Sequence, residues 1–534
     1  MAECERSSGV TADVIVVGSG PAGCVVTRRL ADAGVDVLLL EAGGDDTNTA
    51  ISDPTRLFEL IGGPDDWGYA SVAQGHANDR VIDQPRGKVV GGCSSINGMI
   101  YARGHTSDFD TWAYLGNAGW AYNDVLPLFK RYEDFDDGAS AYRGAGGPLH
   151  ILSRYKLHPV VADIIAAAEQ AGIAPNPDYN AERVEGVAPI QFMIKDGVRQ
   201  SAWRAFVKPV LGAENVKVRT GCHVRRVLLA GERCVGVEVL HGGSIERLTA
   251  RHEVVLTAGA FDSPKLLMLS GIGPERELTR FGVEVHLQLP GVGQNLQDHI
   301  FAPLVYAAKR VVPPMLTGIM PSHGTLFWHS RSGLVGPDIQ ALLGHLPRYP
   351  PGYSGPRDGF SLHAMLTRPA SRGSVGLGSA DPAAPPRIDP AYLSCSADVD
   401  AIAAGIELLR EVAGQDAVEP WRGPELFPGS AVTAQTGLRD YVRTTFSTIF
   451  HPTGTCKMGV DRSAVVDPSL RVHGIEGLRV ADASVMPLIT SANTQAPTMM
   501  IGERAADNIL DDLGIGGARA QAEPALPNYA GYAT

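Results

Sequence analysis

Residues 14–41 read Val-Ile-Val-Val-Gly-Ser-Gly-Pro-Ala-Gly-Cys-Val-Val-Thr-Arg-Arg-Leu-Ala-Asp-Ala-Gly-Val-Asp-Val-Leu-Leu-Leu-Glu, and the order of residue types here decides the fold. Val14 to Val17 make a short apolar strand. It enters the turn Gly18-Ser19-Gly20-Pro21-Ala22-Gly23 and then a helix-like stretch from Val25 to Ala33, which Gly34 closes. Val35 to Leu40 form a second buried strand ending at Glu41. Strand, turn, helix, strand and acid in that order are a βαβ unit with the dinucleotide fingerprint. Gly18, Gly20 and Gly23 let backbone amides approach a pyrophosphate at a helix N-terminus. Glu41, 23 residues beyond Gly18, is placed to accept hydrogen bonds from a ribose. The unit by itself leaves open which dinucleotide is bound.

The rest of the chain sets the context for that unit. Its 534 residues suffice for two or three domain-sized units, and 44% hydrophobic residues describe a globular composition. Lys and Arg total 46 against 58 Asp and Glu, a net charge of −12 that disfavours nucleic acid and anionic membrane surfaces as partners. No apolar stretch reaches the ~20 residues of a membrane span, and no basic segment leads into an apolar one near the start. A cytoplasmic enzyme is expected. Seven scattered cysteines, without CxxC or metal-ligand spacing, fit a reducing compartment and no metal site. Residues 516–534, rich in Ala, Gly and Pro, read as a mobile tail.

Two further stretches narrow the cofactor. Residues 86–104 read Arg-Gly-Lys-Val-Val-Gly-Gly-Cys-Ser-Ser-Ile-Asn-Gly-Met-Ile-Tyr-Ala-Arg-Gly, and residues 259–273 read Gly-Ala-Phe-Asp-Ser-Pro-Lys-Leu-Leu-Met-Leu-Ser-Gly-Ile-Gly. They resemble the two signature stretches of the glucose-methanol-choline (GMC) oxidoreductases, a flavoprotein family; Cys93 replaces the usual Gly, Ser or Thr. The resemblance continues through residues 197–201, 289–299 and 371–374, His451-Pro452-Thr453-Gly454-Thr455 and Val480-Ala481-Asp482-Ala483-Ser484. It spans roughly residues 12 to 513 and implies FAD as cofactor.

Small residues from Gly91 to Ser95 let the backbone lie against a flat ring, and Asn97 can hydrogen-bond near its reacting face. Such a stretch alone would more often be a glycine-rich surface turn; the family resemblance implies that it lines the flavin, with Gly91, Gly92, Ser94, Asn97 and Gly98 at the cofactor. The resemblance adds a backbone contact of Val224 with adenine and a position near the cofactor for Asp482 and Ala483. Choline oxidases carry a histidine, covalently bonded to the flavin, where Ile96 stands here, so FAD is expected to be non-covalent.

The catalytic pair lies near the C-terminus. His451 follows Ser447-Thr448-Ile449-Phe450, an apolar β-prone run, and Pro452 holds it extended. Asn493 precedes a helix expected over Thr498 to Leu513, with Pro497 in its first turn. A lone His is usually structural and an Asn before a helix is usually a cap. Here His451 matches the family's general base and Asn493 its partner. Oxidising a primary alcohol needs the hydroxyl proton to leave as hydride moves to flavin N5, and imidazole, with pKa near 6.5, can take it. The N-terminus of the Thr498 helix can stabilise charge on the reduced flavin. Ile449 and Phe450 suggest an apolar pocket.

An α/β Rossmann-like FAD domain (residues 1–155, 200–300 and 445–515) is expected to interleave with an α+β substrate domain (156–199 and 301–444) built on an antiparallel sheet. Strand-like alternation runs over 360–377, and the loop 311–333 is a candidate substrate entrance. The leading activity is oxidation of aryl or furfuryl primary alcohols with O2. A choline-type or aliphatic-alcohol dehydrogenase using another acceptor is the alternative, and hydroxynitrile lyase or fatty-acid photodecarboxylase chemistry is a third class. Oligomeric state is left open.

Overall fold

The computed structural model describes residues 6–515, with side chains from residue 12 onward. The expected tail at 516–534 lies outside the described residues. Two seven-stranded sheets form the frame. In the first, strands Val216–Arg219, Val37–Leu40, Arg6–Val17, Ser244–Leu256 and Leu478–Val480 run parallel in that spatial order. Val14 to Val17 pair residue by residue with Val37–Leu40 on one side and with residues 253–256 on the other. Such a strand is covered on both edges and both faces, which is why its sequence is uniformly apolar rather than alternating. Arg233–His241 and His223–Ala230 extend the sheet antiparallel.

The structure shifts several expected boundaries. The first strand begins at Arg6, and the helix is Pro21–Asp32, with Pro21 at its first position and Gly20 as cap. Pro21 lacks an N–H exactly where a helix start has no use for one, so the helix opens inside the glycine turn. The last helix is Gln495–Asp512 rather than one starting at Thr498, again with its proline in the first turn. It packs on Pro21–Asp32 through Gly502, whose Cβ would lie 2.8 Å from the Ala22 carbonyl oxygen. Arg29 clamps the buried Glu503 across that contact at 2.8 Å.

The second sheet is antiparallel. Its order is Arg422–Phe427, Ile300–Ala308, Gly359–Leu366, Ile339–Gly344, Ser322–Trp328 and Gly186–Pro189, with Ser447–Thr448 pairing onto Ile300–Phe301. Helix Ser396–Gly414 lies on its back, where a Cβ on Gly405 would touch Ala364 Cβ at 3.0 Å. Strands occupy Gly359–Leu366 and Ser374–Gly376 of the expected 360–377 stretch, and alternation of burial is missing only from Gly359–Leu366, which is buried at every position. One face meets the helix and the other a cavity wall. Within the candidate entrance segment 311–333, Ser322–Trp328 is a strand, the remainder is irregular, and Met320, Pro321 and Ser322 line the cavity. Among the described residues no helix is long and apolar enough to cross a membrane.

Candidate active site

Between the fingerprint turn and the antiparallel sheet lies a cavity of about 680 Å³. Gly18 and Gly20 line its first end; Gly18 has φ 100°, and a Cβ there would lie 2.7 Å from the Thr257 carbonyl oxygen. Gly23 stands behind the wall. Its missing Cβ would sit 2.0 Å from the Gly18 carbonyl oxygen, so it sets how closely helix meets strand. Glu41 lines the cavity and accepts from the Ser19 N–H (3.0 Å), the Ser19 hydroxyl (2.6 Å) and the Gly43 N–H (2.8 Å). Burial nevertheless raises its pKa.

The second glycine stretch leans on the first. A Cβ on Gly92 would lie 2.9 Å from Gly20 Cα. Gly92, Ile96, Asn97 and Gly98 line the cavity, but Gly91 and Ser94 do not. Ser94 Oγ donates to the Gly91 carbonyl at 2.5 Å and accepts from the Ala202 N–H at 2.9 Å, so the two residues shape the turn from behind. Val224, Asp482, Ala483 and Thr498 reach the cavity, whereas Pro497 is buried beside it. Asp482 accepts from the Gly259 N–H (2.8 Å), Ser263 Oγ (2.6 Å) and the Ser484 N–H (2.8 Å), binding the second signature stretch to the C-terminal segment.

A flavin dinucleotide fits this cavity. Glycines keep the wall at the turn free of side chains, and the last helix presents its N-terminus through Thr494, Gln495 and Thr498. Asn97 donates to Gln495 Oε1, while the buried Gln495 Nε2 has no partner among the described residues and is available to a flavin carbonyl.

At the far end Ile449, Phe450, His451 and Asn493 meet. The loop before His451 is pinned. Phe450 takes φ 68°, its N–H donates to Thr448 Oγ1 at 2.7 Å, and Arg86 donates to its carbonyl at 2.6 Å. Buried Asp298 accepts from Thr448 Oγ1 (2.5 Å), the His451 N–H (2.7 Å) and the Tyr392 hydroxyl.

The ring contacts of His451 define its tautomer. His299 Nε2 lies 3.0 Å from the Thr367 carbonyl, a pure acceptor, so that nitrogen carries the hydrogen. Burial lowers the His299 pKa to about 3, so the ring is neutral and its Nδ1 is an acceptor. His451 Nδ1, 3.0 Å away, must then donate. This leaves the lone pair of His451 on Nε2, where the Asn493 amide N–H approaches at 3.3 Å. Asn493 Oδ1 in turn accepts from Gln340 Nε2 at 3.3 Å, which orients the amide. Burial, then His299 and Arg86, hold the His451 pKa well below 6.5, so the ring is a free base at neutral pH.

Asp298, His299, Thr367 and Gln340 carry no role in the sequence reading. Asp298-His299 stands within a stretch of the family resemblance, a signal that points to them without a function; Gln340 lies 153 residues from Asn493, beyond any local signal.

Comparison with known proteins agrees with this architecture. The GMC oxidoreductase family models match residues 12–301 and 369–502. An oxygen-dependent choline dehydrogenase of Brucella ovis (strain ATCC 25840 / 63/290 / NCTC 10512) is 40% identical over 542 residues, covering 96% of this chain and 98% of the relative. Pyridoxine 4-oxidase from Mesorbium loti is 34% identical with TM-score 0.90, covering 93% of this chain and 98% of its own. A formate oxidase of Aspergillus oryzae RIB40, in a structure addressing FAD modification, is 27% identical with TM-score 0.88, covering 95% and 99%. The chain belongs to the GMC oxidoreductases and is an FAD-dependent enzyme of that family acting on alcohols.

Proposed function

We propose that the enzyme oxidises a primary alcohol to an aldehyde, with His451 as general base, Asn493 as its partner and O2 as the terminal acceptor. The observation that carries this reading is the His451 geometry: Nδ1–H is engaged by His299, and the Nε2 lone pair faces the cavity beside Asn493. FAD, when bound, supplies the hydride acceptor. Nε2 takes the hydroxyl proton, the Asn493 N–H holds the oxygen that loses it, and Gln340 keeps that amide facing the substrate. Ile449 and Phe450 exclude water beside the base. The fingerprint turn, Gly92, Asn97, Gln495 and Thr498 would hold the cofactor. Ile96 offers no nucleophile, so the binding is non-covalent. Of the described residues, those within 1–155, 200–300 and 445–515 make the cofactor part, and 156–199 and 301–444 the substrate part.

O2 is favoured because the solved relatives at 34% and 27% identity are named oxidases. Identity of 40% to choline dehydrogenases supports choline as a second substrate reading. His451→Ala tests the mechanism. The variant is expected to retain FAD but to reduce it roughly 10²- to 10⁴-fold more slowly in anaerobic stopped flow. A near-normal rate would remove His451 as the base. Acid precipitation is expected to leave the yellow flavin in the supernatant; flavin in the pellet would overturn non-covalent binding.

A further inference from the structure

The substrate end of the cavity is walled by the antiparallel sheet. Gln340 pairs with Met365 and Leu342 with His363, so these four side chains share one face. Gln340 marks the reacting centre through Asn493. His363 lies two residues before Met365 on the same strand, ~7 Å along it.

Two groups there lack partners. Arg348 lines the cavity next to His363, and among the described residues its guanidinium forms no ion pair or hydrogen bond. It is held by ring faces alone, with Cζ 5.1 Å from the centre of Phe301 and 5.5 Å from that of Phe58. His363 packs on the same Phe301 ring at 4.9 Å, is 4% exposed, and its Nε2 has no hydrogen-bond partner among the described residues. Arg348 is partly exposed, and burial lowers its pKa from 12.5. Burial and Arg348 together keep His363 neutral, at about 3.

The acids of the cavity are elsewhere. Among the described lining residues the carboxylates are Glu41, Asp262 and Asp482. Glu41 is bound at the fingerprint turn, Asp262 accepts from the Tyr69 hydroxyl at 3.0 Å, and Asp482 is fastened to Gly259 and Ser263. None lies on the substrate sheet. A quaternary ammonium would meet an unpaired cation there, with no carboxylate to receive it.

We propose that Arg348 and His363 form a carboxylate-binding subsite, and that the natural substrate is a primary alcohol carrying a carboxylate about one aromatic ring away from its hydroxymethyl group. A single guanidinium, with one imidazole N–H beside it, matches one monoanion. The inference rests on the alcohol-oxidation reading for its hydroxyl end and on the substrate sheet for its anionic end.

The test uses the FAD-loaded enzyme and three para-substituted benzyl alcohols: 4-(hydroxymethyl)benzoate, 4-methylbenzyl alcohol and a 4-(trimethylammoniomethyl) analogue, with choline as a fourth. Anaerobic stopped flow gives a dissociation constant and a limiting reduction rate for each. The wild type is expected to bind the carboxylate roughly 10- to 100-fold more tightly than the methyl compound, the range of a charge-assisted hydrogen bond. In Arg348→Met that ratio is expected to collapse towards 1, and in Arg348→Lys to recover in part. Unreactive 4-methylbenzoate is expected to perturb the flavin spectrum and raise the melting temperature of the wild type but not of Arg348→Met.

Equal affinity for carboxylate and methyl compounds, a preference surviving in Arg348→Met, or tighter binding of either ammonium compound would overturn the subsite. If 4-methylbenzoate binds through Arg348 yet no alcohol reduces the flavin, the subsite stands and the alcohol reading falls. If neutral alcohols reduce it through His451 without any carboxylate preference, the reverse holds.

Discussion

At the scale of single residues, the proposed base depends on the histidine behind it. His299 Nδ1 fixes the hydrogen of His451 on the side away from the cavity. His299→Leu removes that acceptor and is expected to slow flavin reduction roughly 5- to 50-fold, the consequence of one buried donor left unpaired. His299→Gln supplies a carbonyl oxygen and is expected to recover most of the rate. Equal losses in both variants would assign His299 to packing alone. The pH profile follows from the same environment. As the proposed base, His451 can act only as the neutral ring, and its pKa is held well below 6.5. The base form therefore persists as pH falls through 6.5, and the limiting reduction rate is expected to stay flat there and decline only at lower pH. A half-loss near pH 6.5 would mean an unperturbed imidazole.

At the scale of elements, the cofactor end is set by backbones that touch. The start of helix Pro21–Asp32 lies against the strand before it because Gly23 has no Cβ; an added one would sit 2.0 Å from the Gly18 carbonyl oxygen and 2.6 Å from Thr257 Oγ1. Backbone oxygen cannot yield as a flexible side chain does, so Gly23→Ala must shift the helix. The expected cost is about 1–3 kcal/mol of stability, with FAD affinity weakened roughly tenfold or more because the amides of the turn move with the helix. Thermal melting and FAD titration of the apoprotein check both effects. Unchanged affinity would separate the turn from cofactor binding.

For the whole molecule, buried histidines set the response to acid. His299, His345 and His363 have pKa values lowered to about 3, and His323 to about 4, chiefly by burial. Unfolded, each takes a proton near pH 6.5. Between those values the unfolded chain binds more protons than the native one, so these groups subtract stability as pH falls below 6.5 and contribute no pH dependence above it. His345 is the clearest case: it stacks on His158 at 3.8 Å, and among the described residues neither ring nitrogen makes a hydrogen bond of normal geometry. His345→Phe keeps the stack and removes the proton site. Its melting temperature is expected to fall less than that of the wild type between pH 6.5 and 4.5. Parallel curves would show that this imidazole takes no part in acid unfolding.

What the sequence determined by itself was local. The βαβ unit with Glu41 at its end, the second glycine stretch and His451 before a proline are each legible because backbone geometry and residue type constrain one another within a few positions. The tertiary structure decided everything that joins distant segments. Gly23, Gly91, Ser94 and Pro497 read as cofactor residues in the chain yet do not line the cavity, since which side of a residue faces a cavity depends on the elements packed behind it. The tautomer of His451 requires Thr367, 84 residues away in the chain, to orient His299. The unpaired guanidinium of Arg348 becomes visible only when the second sheet brings Phe301 and His363 to it. An ion pair or its absence is a property of the assembled cavity, because a charge's partners are set by the fold rather than by its neighbours in the chain.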